Sequence, residues 1–267
     1  MSTAAKMAEL LGGLADRMDY VLSQVRLLLL YSDLVILLVA YWIVAHLAKR
    51  RAPREGLPSA AVADLSFWLA VSAVVAARLV YILPDWIIYL RYPLDVLRIQ
   101  TGLSFYGGLG GAILAGWWYA RKARLSFWQL ADLYAPYLPL GIAAQRLSCI
   151  ITNICYGRLA DPPFGIVFPG LSQPRYPAEL YEMALLLALF GLLLRIRART
   201  SFAGQAFLLF LVVYPSIHAV VDAFRITLDT FWVSRDQIAS ITVSLVAIVV
   251  WGWRVSHRTP GAAERVA

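Results

Sequence analysis

Charge is scarce in this chain. Asp, Glu, Lys and Arg make up 15% of its 267 residues, against about 25% in soluble domains. Mean hydropathy is +0.68, so a soluble globular enzyme is excluded. Cysteine is nearly absent. Cys149 and Cys155 have neither metal-ligand spacing nor the number a disulfide framework needs. As residues they read as small apolar fillers, with a disulfide left open should they meet an oxidising face. No repeat and no inverted pair of broken helices is visible, which argues against a secondary transporter. No cleavable leader is expected, because the first apolar run is too long and lacks a small-residue cleavage site. Nothing indicates a metal, nucleotide or other cofactor.

What the chain does have is apolar length. Seven stretches, at about 24–47, 63–83, 103–120, 130–152, 178–197, 203–223 and 237–254, each approach the roughly 20 residues that cross a bilayer. They are too long and too uniformly apolar for barrel strands. The expected fold is therefore an all-α integral membrane protein, a bundle of about seven transmembrane helices. Residues 1–20 mix Leu10, Leu11 and Leu14 with Lys6, Glu9, Asp16 and Arg17, as an amphipathic interfacial helix does. Residues 21–256 form the spanning domain, and 257–267 a tail.

The basic residues set an orientation. Lys49, Arg50, Arg51 and Arg54 follow the first stretch, Arg121, Lys122 and Arg124 the third, Arg195, Arg197 and Arg199 the fifth, and Arg254 and Arg258 the seventh. The positive-inside rule then puts the N-terminus outside and the C-terminus in the cytoplasm. The net charge of +8 sits in these short loops, which suits anionic lipid headgroups and argues against nucleic acid. The longer loops, 84–102 and 153–177, face outward. Trp86, Tyr89 and Tyr92 in the first suit an aromatic belt.

Against this background, ionisable groups inside apolar segments stand out: Arg78, Arg146, Glu179, Glu182, His218 and Asp222. Such groups are costly in lipid unless they face a partner or a water-filled cavity. Arg146 carries a planar fork suited to phosphate, and near the headgroup level a phospholipid phosphate is a natural partner. The alternative is an internal ion pair with Glu182 or Asp222. Glu179 fits the first turn of a helix opened by Pro177, where the dipole favours an acid; Glu182 lies deeper. His218 and Asp222 are four apart and share a helix face, so they could pair as an acid/base device. Arg78 either joins the polar site or snorkels outward. Gly107 and Gly108 permit close approach of a ligand or of another helix.

Taken in order, these pieces resemble the bacterial prolipoprotein diacylglyceryl transferase family, from about Tyr31 to Trp253 and most strongly over 101–225. The family's Ala-Arg-x-x-Tyr element is similar to Ala77 to Tyr81, and its Ser-Phe-His-Gly-Gly-Leu motif to Ser104 to Leu109. Its signature resembles Gln145-Arg146, Cys149 and Tyr156-Gly157-Arg158. Its His-Pro-Ser-Gln-Leu-Tyr-Glu looks like Tyr176 to Glu182, and its sixth-span pattern like Tyr214, His218, Asp222 and Phe224-Arg225.

The resemblance implies a reaction and a location. A diacylglyceryl group passes from phosphatidylglycerol to the lipobox cysteine thiol of a lipoprotein precursor, in the bacterial inner membrane. A thioether forms and glycerol phosphate leaves. It implies no cofactor, and the acceptor thiol belongs to the substrate. Arg146 would hold the phosphate, with Arg78 and Arg225 supplementing it and Glu182 or Asp222 orienting the arginines. Tyr31, Gly107, Gly108, Cys149, Gly157 and Tyr214 would line the lipid site. This chain departs from the pattern: Tyr106 stands where the family has a histidine proposed as base, His218 where it has an arginine, Tyr176 where it has another histidine, and Gln145 where it has a glycine. Tyrosine, with an ordinary pKa of about 10, is a poor base at neutral pH, so His218 becomes the candidate to activate the thiol. Two other readings stay open: a different lipid donor or acceptor on the same fold, and a non-catalytic lipid- or lipoprotein-binding membrane protein.

Overall fold

The computed structural model describes residues 34–98, 102–152, 155–161, 163–197, 199–225 and 234–257. The N-terminal interfacial segment, Tyr31, Asn153 and all of the tail but its first residue lie outside these. The order is α1 (34–51), α2 (Ser59–Ile82), α3 (Trp86–Arg91), α4 (Phe105–Ala123), α5 (Phe127–Tyr134), α6 (Leu138–Thr152), α7 (Ala178–Arg197), α8 (Gln205–Asp222) and α9 (Arg235–Ser256). Among the described residues extended backbone occurs only as isolated bridges. A helix underlies each of the seven apolar stretches. Three segments, Ser59–Arg91, Gln205–Asp222 and Arg235–Ser256, are long and apolar enough to cross a membrane.

Two details correct the expected boundaries. The stretch 130–152 is not one helix but two, α5 and α6, joined through a turn in which the Tyr137 amide donates to the Tyr134 carbonyl at 2.9 Å. Pro136 in that turn has no N–H to continue the first helix, and Pro139 fits the first turn of the second. The loop 84–102 carries the short helix α3, whose Trp86, Ile87 and Leu90 are exposed.

Exposure is inverted relative to a soluble protein. Trp68, Val71 and Val75 of α2 and Ile241, Leu245 and Val249 of α9 face outward. Outside water, such surface is matched by lipid, and helix association rests on close packing rather than on a hydrophobic drive. Glycine supplies that closeness between α2 and α4. A Cβ on Gly107 would lie 2.6 Å from the Val80 Cβ, and one on Gly111 would lie 2.7 Å from the Ser72 carbonyl oxygen as well as striking Ala76. One apolar core gathers Leu186, Leu189 and Leu193 of α7 with Phe207, Phe210 and Tyr214 of α8. A second joins Ala48, Val62, Leu65, Leu133 and Tyr134.

Helix starts are secured by specific side chains. Ser104 caps α4 by accepting from the Gly107 amide at 3.2 Å, and Ser234 with Gln237 forms a capping box on α9. α8 begins at Gly204, whose φ of +98° puts it in the left-handed region. Its cap comes from another helix: Asp132 of α5 accepts from the Gly204 amide at 2.6 Å and the Phe207 amide at 2.9 Å.

The glycine packing yields a paired test. Gly111→Ala is expected to lower the melting temperature in detergent, at a cost of about 1–3 kcal/mol for overpacking. Gly110→Ala, where a Cβ meets open space, should be neutral or slightly stabilising, since Ala exceeds Gly in helix propensity by about 1 kcal/mol. Equal melting shifts would show that the α2–α4 contact is not limited by glycine.

Candidate active site

One carboxylate organises the polar interior. Glu182, in the second turn of α7, is 0% exposed, and each of its oxygens accepts from a cation. Arg146 Nη2 of α6 donates to Oε1 at 3.0 Å. Arg225 Nη2, just past the end of α8, donates to Oε2. A turn earlier on α7, Glu179 completes a bridge: Arg146 Nη1 lies 3.5 Å from its Oε2, and Arg225 Nη2 3.0 Å from its Oε1. Two glutamates thus hold two guanidinium groups, Arg146 through both of its terminal nitrogens and Arg225 through Nη2. Glu179 is therefore more than a helix-dipole residue.

His218 joins the same group. Its Nδ1 is 3.0 Å from Glu182 Oε1. An ionised carboxylate only accepts, so Nδ1 carries a hydrogen, and in the neutral imidazole the lone pair is then on Nε2. This corrects the expected His218–Asp222 pair. The two share a face of α8 but turn to different neighbours. Asp222 accepts from Ser234 Oγ at 2.5 Å and lies 3.9 Å from Arg225 Nη1, so the start of α9 and the arginine claim it. Arg146 likewise pairs with Glu182 and Glu179.

Aromatic rings wall the histidine. The Tyr106 and Tyr214 ring centroids lie 6.4 and 6.0 Å from that of His218. Tyr214 is fully buried and stacks on Phe210. The Tyr106 hydroxyl bonds to Ser240 Oγ, and Ser240 donates its own hydrogen to the Asp236 carbonyl at 2.6 Å. Ser240 has one hydrogen to give, so Tyr106 is the donor of the pair and keeps its proton.

A loop frame sets Arg225. The Gly157 amide donates to the Tyr176 carbonyl at 3.0 Å, and the Arg158 amide to the Phe224 carbonyl at 2.9 Å. A Cβ on Gly157 would come 2.5 Å from Phe224 O and 2.6 Å from Tyr176 O, so only glycine lets these three segments meet. Arg158 Nε also donates to the Arg225 carbonyl at 3.0 Å. Gly157 is thus a frame residue for the end of α8.

The other candidates fall elsewhere. Arg78 does not snorkel: it is buried and donates to the carbonyls of Val96, Gly102 and Asp95 at 2.8, 3.0 and 2.5 Å. It lies over Tyr81 and Tyr89, pinning the loop after α3. Gly107 and Gly108 face α2, as helix-packing residues do. Cys149 accepts from Gln145 Nε2 at 3.4 Å, and both cysteines are free thiols, half-buried. Ser234 and Ser240 are the partners that sequence reasoning did not assign; for Ser234, the Ser-x-x-Gln capping pattern was the available signal.

Three buried donors here, Arg146 Nε, Arg225 Nε and the Tyr214 hydroxyl, meet no hydrogen-bond acceptor among the described residues. Unspent donors in a buried polar site are suited to an anionic or oxygen-rich ligand. Metal ligation is a poor match, because the carboxylates are already engaged by cations.

Removing Glu182 should be severe, since it would leave two buried guanidinium groups underpaired. Glu182→Ala is expected to cost about 3–5 kcal/mol, read as a melting shift in detergent. Asp222→Asn, which retains an acceptor for Ser234, should cost much less. The reverse ranking would remove Glu182 from its central place.

Comparison with known proteins follows the same residues. The sequence model of prolipoprotein diacylglyceryl transferase matches 29–253. Among curated proteins, the phosphatidylglycerol–prolipoprotein diacylglyceryl transferase of Chromohalobacter salexigens is 35% identical over 235 residues, 83% of this chain and 84% of that protein. Its namesake from Geobacter sulfurreducens is 40% identical over 192 residues, covering 70% and 73%, and that from Legionella pneumophila strain Lens is 31% identical over 224 residues, covering 80% and 85%. With the match spanning all the elements that bring Arg146, Glu182, His218 and Arg225 together, the chain belongs to the prolipoprotein diacylglyceryl transferase family.

Proposed function

We propose that this protein transfers a diacylglyceryl group from phosphatidylglycerol to the lipobox cysteine thiol of a lipoprotein precursor, at the outer leaflet of the bacterial inner membrane. The observation that carries the reading is the buried Arg146–Glu182–His218–Arg225 cluster, set among apolar helices where ionisable groups are costly without a function. The Lys and Arg pattern supports seven spans with the N-terminus outside and the C-terminus in the cytoplasm. In that arrangement the cluster lies toward the outer face, where lipid enters laterally and the lipobox peptide from outside.

The chemistry is a displacement at carbon. The thiol sulfur attacks the glyceryl carbon that bears the phosphate ester, the C–O bond breaks, and its electron pair stays with the departing glycerol phosphate. A thioether forms. His218 Nε2 takes the thiol proton, because Glu182 holds the imidazole in the tautomer with Nδ1 protonated. Two events then offset each other. The phosphate gains negative charge on leaving, and His218 gains positive charge in the same group of residues. Arg146 and Arg225, fixed before reaction by Glu182 and Glu179, add stabilisation without reorganising. Tyr106, committed as a donor to Ser240, positions the ring wall rather than removing a proton. Arg78 holds the loop after α3.

A second reading, in which the same fold uses another donor or acceptor, draws on Tyr106 and His218, which replace the residues of the family pattern. A panel of phospholipids separates the two: consumption of some other lipid with phosphatidylglycerol ignored would favour the second.

The decisive assay combines purified protein, phosphatidylglycerol and a lipobox peptide, read by mass spectrometry for a gain of one diacylglyceryl group on cysteine. Arg146→Ala should abolish transfer while the protein still inserts in membranes. His218→Gln should lower kcat by about 10²–10⁴-fold, the usual contribution of a positioned base. Tyr106→Phe should cost far less. Undiminished transfer in Arg146→Ala would overturn the assignment. A larger loss for Tyr106→Phe than for His218→Gln would move the base to Tyr106.

A further inference from the structure

The chain has two cysteines, and they are neighbours in space. Cys149 sits in the last turn of α6, and Cys155 lies just past the end of that helix at Thr152. The Cys155 thiol donates a hydrogen bond to the Cys149 sulfur. Gln145 Nε2 donates to the same sulfur at 3.4 Å. Both thiols are half-buried and carry no covalent bond to one another. The transfer chemistry above leaves them without a task, since its acceptor thiol belongs to the substrate. A metal is a poor fit. Two sulfurs fall short of the ligand set of a structural zinc site, and among the described residues no three His, Cys, Asp or Glu side chains are placed to hold an ion.

Their geometry suits a different chemistry. A disulfide forms only between side chains that point at one another at close range, and thiols joined by a hydrogen bond meet that condition. The two sulfurs are also unlike. In disulfide exchange the thiolate is the nucleophile, and a nearby cation favours it. Cys149 accepts two hydrogen bonds and stands one turn after Arg146 on α6, so its sulfur is the one that attacks. Cys155 holds its hydrogen as a donor and is placed to resolve. The position of the pair gives the bond a consequence. Arg146 is carried by the same helix as Cys149, and Cys155 is two residues before Gly157, whose segment frames Arg225 through the Arg158 amide and the Phe224 carbonyl. A sulfur–sulfur bond would tie the helix that bears one arginine to the loop that sets the other. Under the orientation drawn from the Lys and Arg pattern, this end of α6 faces outward, where disulfides persist.

We infer that Cys149 and Cys155 form a reversible disulfide that staples α6 to the frame of Arg225. The oxidant is another disulfide, carried by a protein or a small molecule. The Cys149 thiolate attacks one of its sulfurs, a mixed disulfide forms and one thiol leaves. Cys155 then gives up its proton and attacks the Cys149 sulfur, and the second thiol leaves. Two protein thiols become one S–S bond, while the oxidant is reduced to two thiols.

The test uses the full-length protein in detergent, treated with oxidised glutathione or with reductant, then alkylated with a maleimide and weighed intact. The reduced protein should take up two alkyl groups and the oxidised protein none, running as a monomer on a non-reducing gel. Bacteria producing the protein, quenched with acid before alkylation, should yield the blocked form. Reduction should lower the melting temperature by about 5 °C or more. Cys155→Ser should melt like the reduced parent, with no further fall in reductant, and take up one alkyl group. Two alkylatable thiols after oxidised glutathione, or in the acid-quenched cells, would overturn the inference. So would a disulfide-linked dimer in place of the internal bond, or a parent whose melting temperature ignores reduction. Mass and melting need no turnover, so a protein that fails to transfer lipid would defeat the function reading and leave this one standing.

Discussion

The polar interior of this protein depends on the burial of Glu182 between two arginines and a histidine. Moving a carboxylate into an apolar bundle is expensive, and the cost is offset only if every lone pair finds a donor in good geometry. Here the donors come from three directions: α6 through Arg146, the loop end of α8 through Arg225, and the body of α8 through His218. Each needs the others. Without the carboxylate, two guanidinium groups would face one another underpaired; without the arginines, Glu182 would be a buried charge sustained by one imidazole. The packing of α6 on α7 and of α7 on α8 is therefore tied to an electrostatic arrangement as well as to the Leu186–Leu193 and Phe207–Tyr214 contacts.

That arrangement also separates scaffold from chemistry. Arg78, Gly107, Gly111 and Gly157 stand within or near motifs that suggest ligand binding, yet their contacts are with the protein's own backbone and side chains. Arg78 fastens the loop after α3 and the start of α4; the glycines draw helices or loop segments together. Around Glu182, the buried donors that meet no acceptor among the described residues are Arg146 Nε, Arg225 Nε and the Tyr214 hydroxyl. A site built this way fixes its cations before substrate arrives, which is the condition for electrostatic stabilisation without reorganisation.

Much was legible in the sequence, for a definite reason. Membrane helices must satisfy their backbone internally and match the bilayer thickness, so length and hydropathy located a helix beneath each apolar stretch. The same cost of burying charge singled out Arg146, Glu179, Glu182, His218 and Asp222 without any structure, because in an apolar segment an ionisable side chain has few bland explanations. The division of 130–152 was also readable in Pro136 and Pro139, but hydropathy averages across a proline, and the turn it forces is a backbone property.

What the sequence by itself determined was the membrane class, the family pattern and the set of residues that had to meet a partner. The tertiary structure decided which partner each one met. Helical spacing puts His218 and Asp222 on one face, yet His218 turned to Glu182 on α7 and Asp222 to Ser234 ahead of α9. Spacing along one helix reports only neighbours on that helix. The choice among carboxylates depends on how segments distant in the chain meet, as Gly157 meets Tyr176 and Phe224 beside Arg225. The contact of His218 Nδ1 with Glu182 follows from that packing alone.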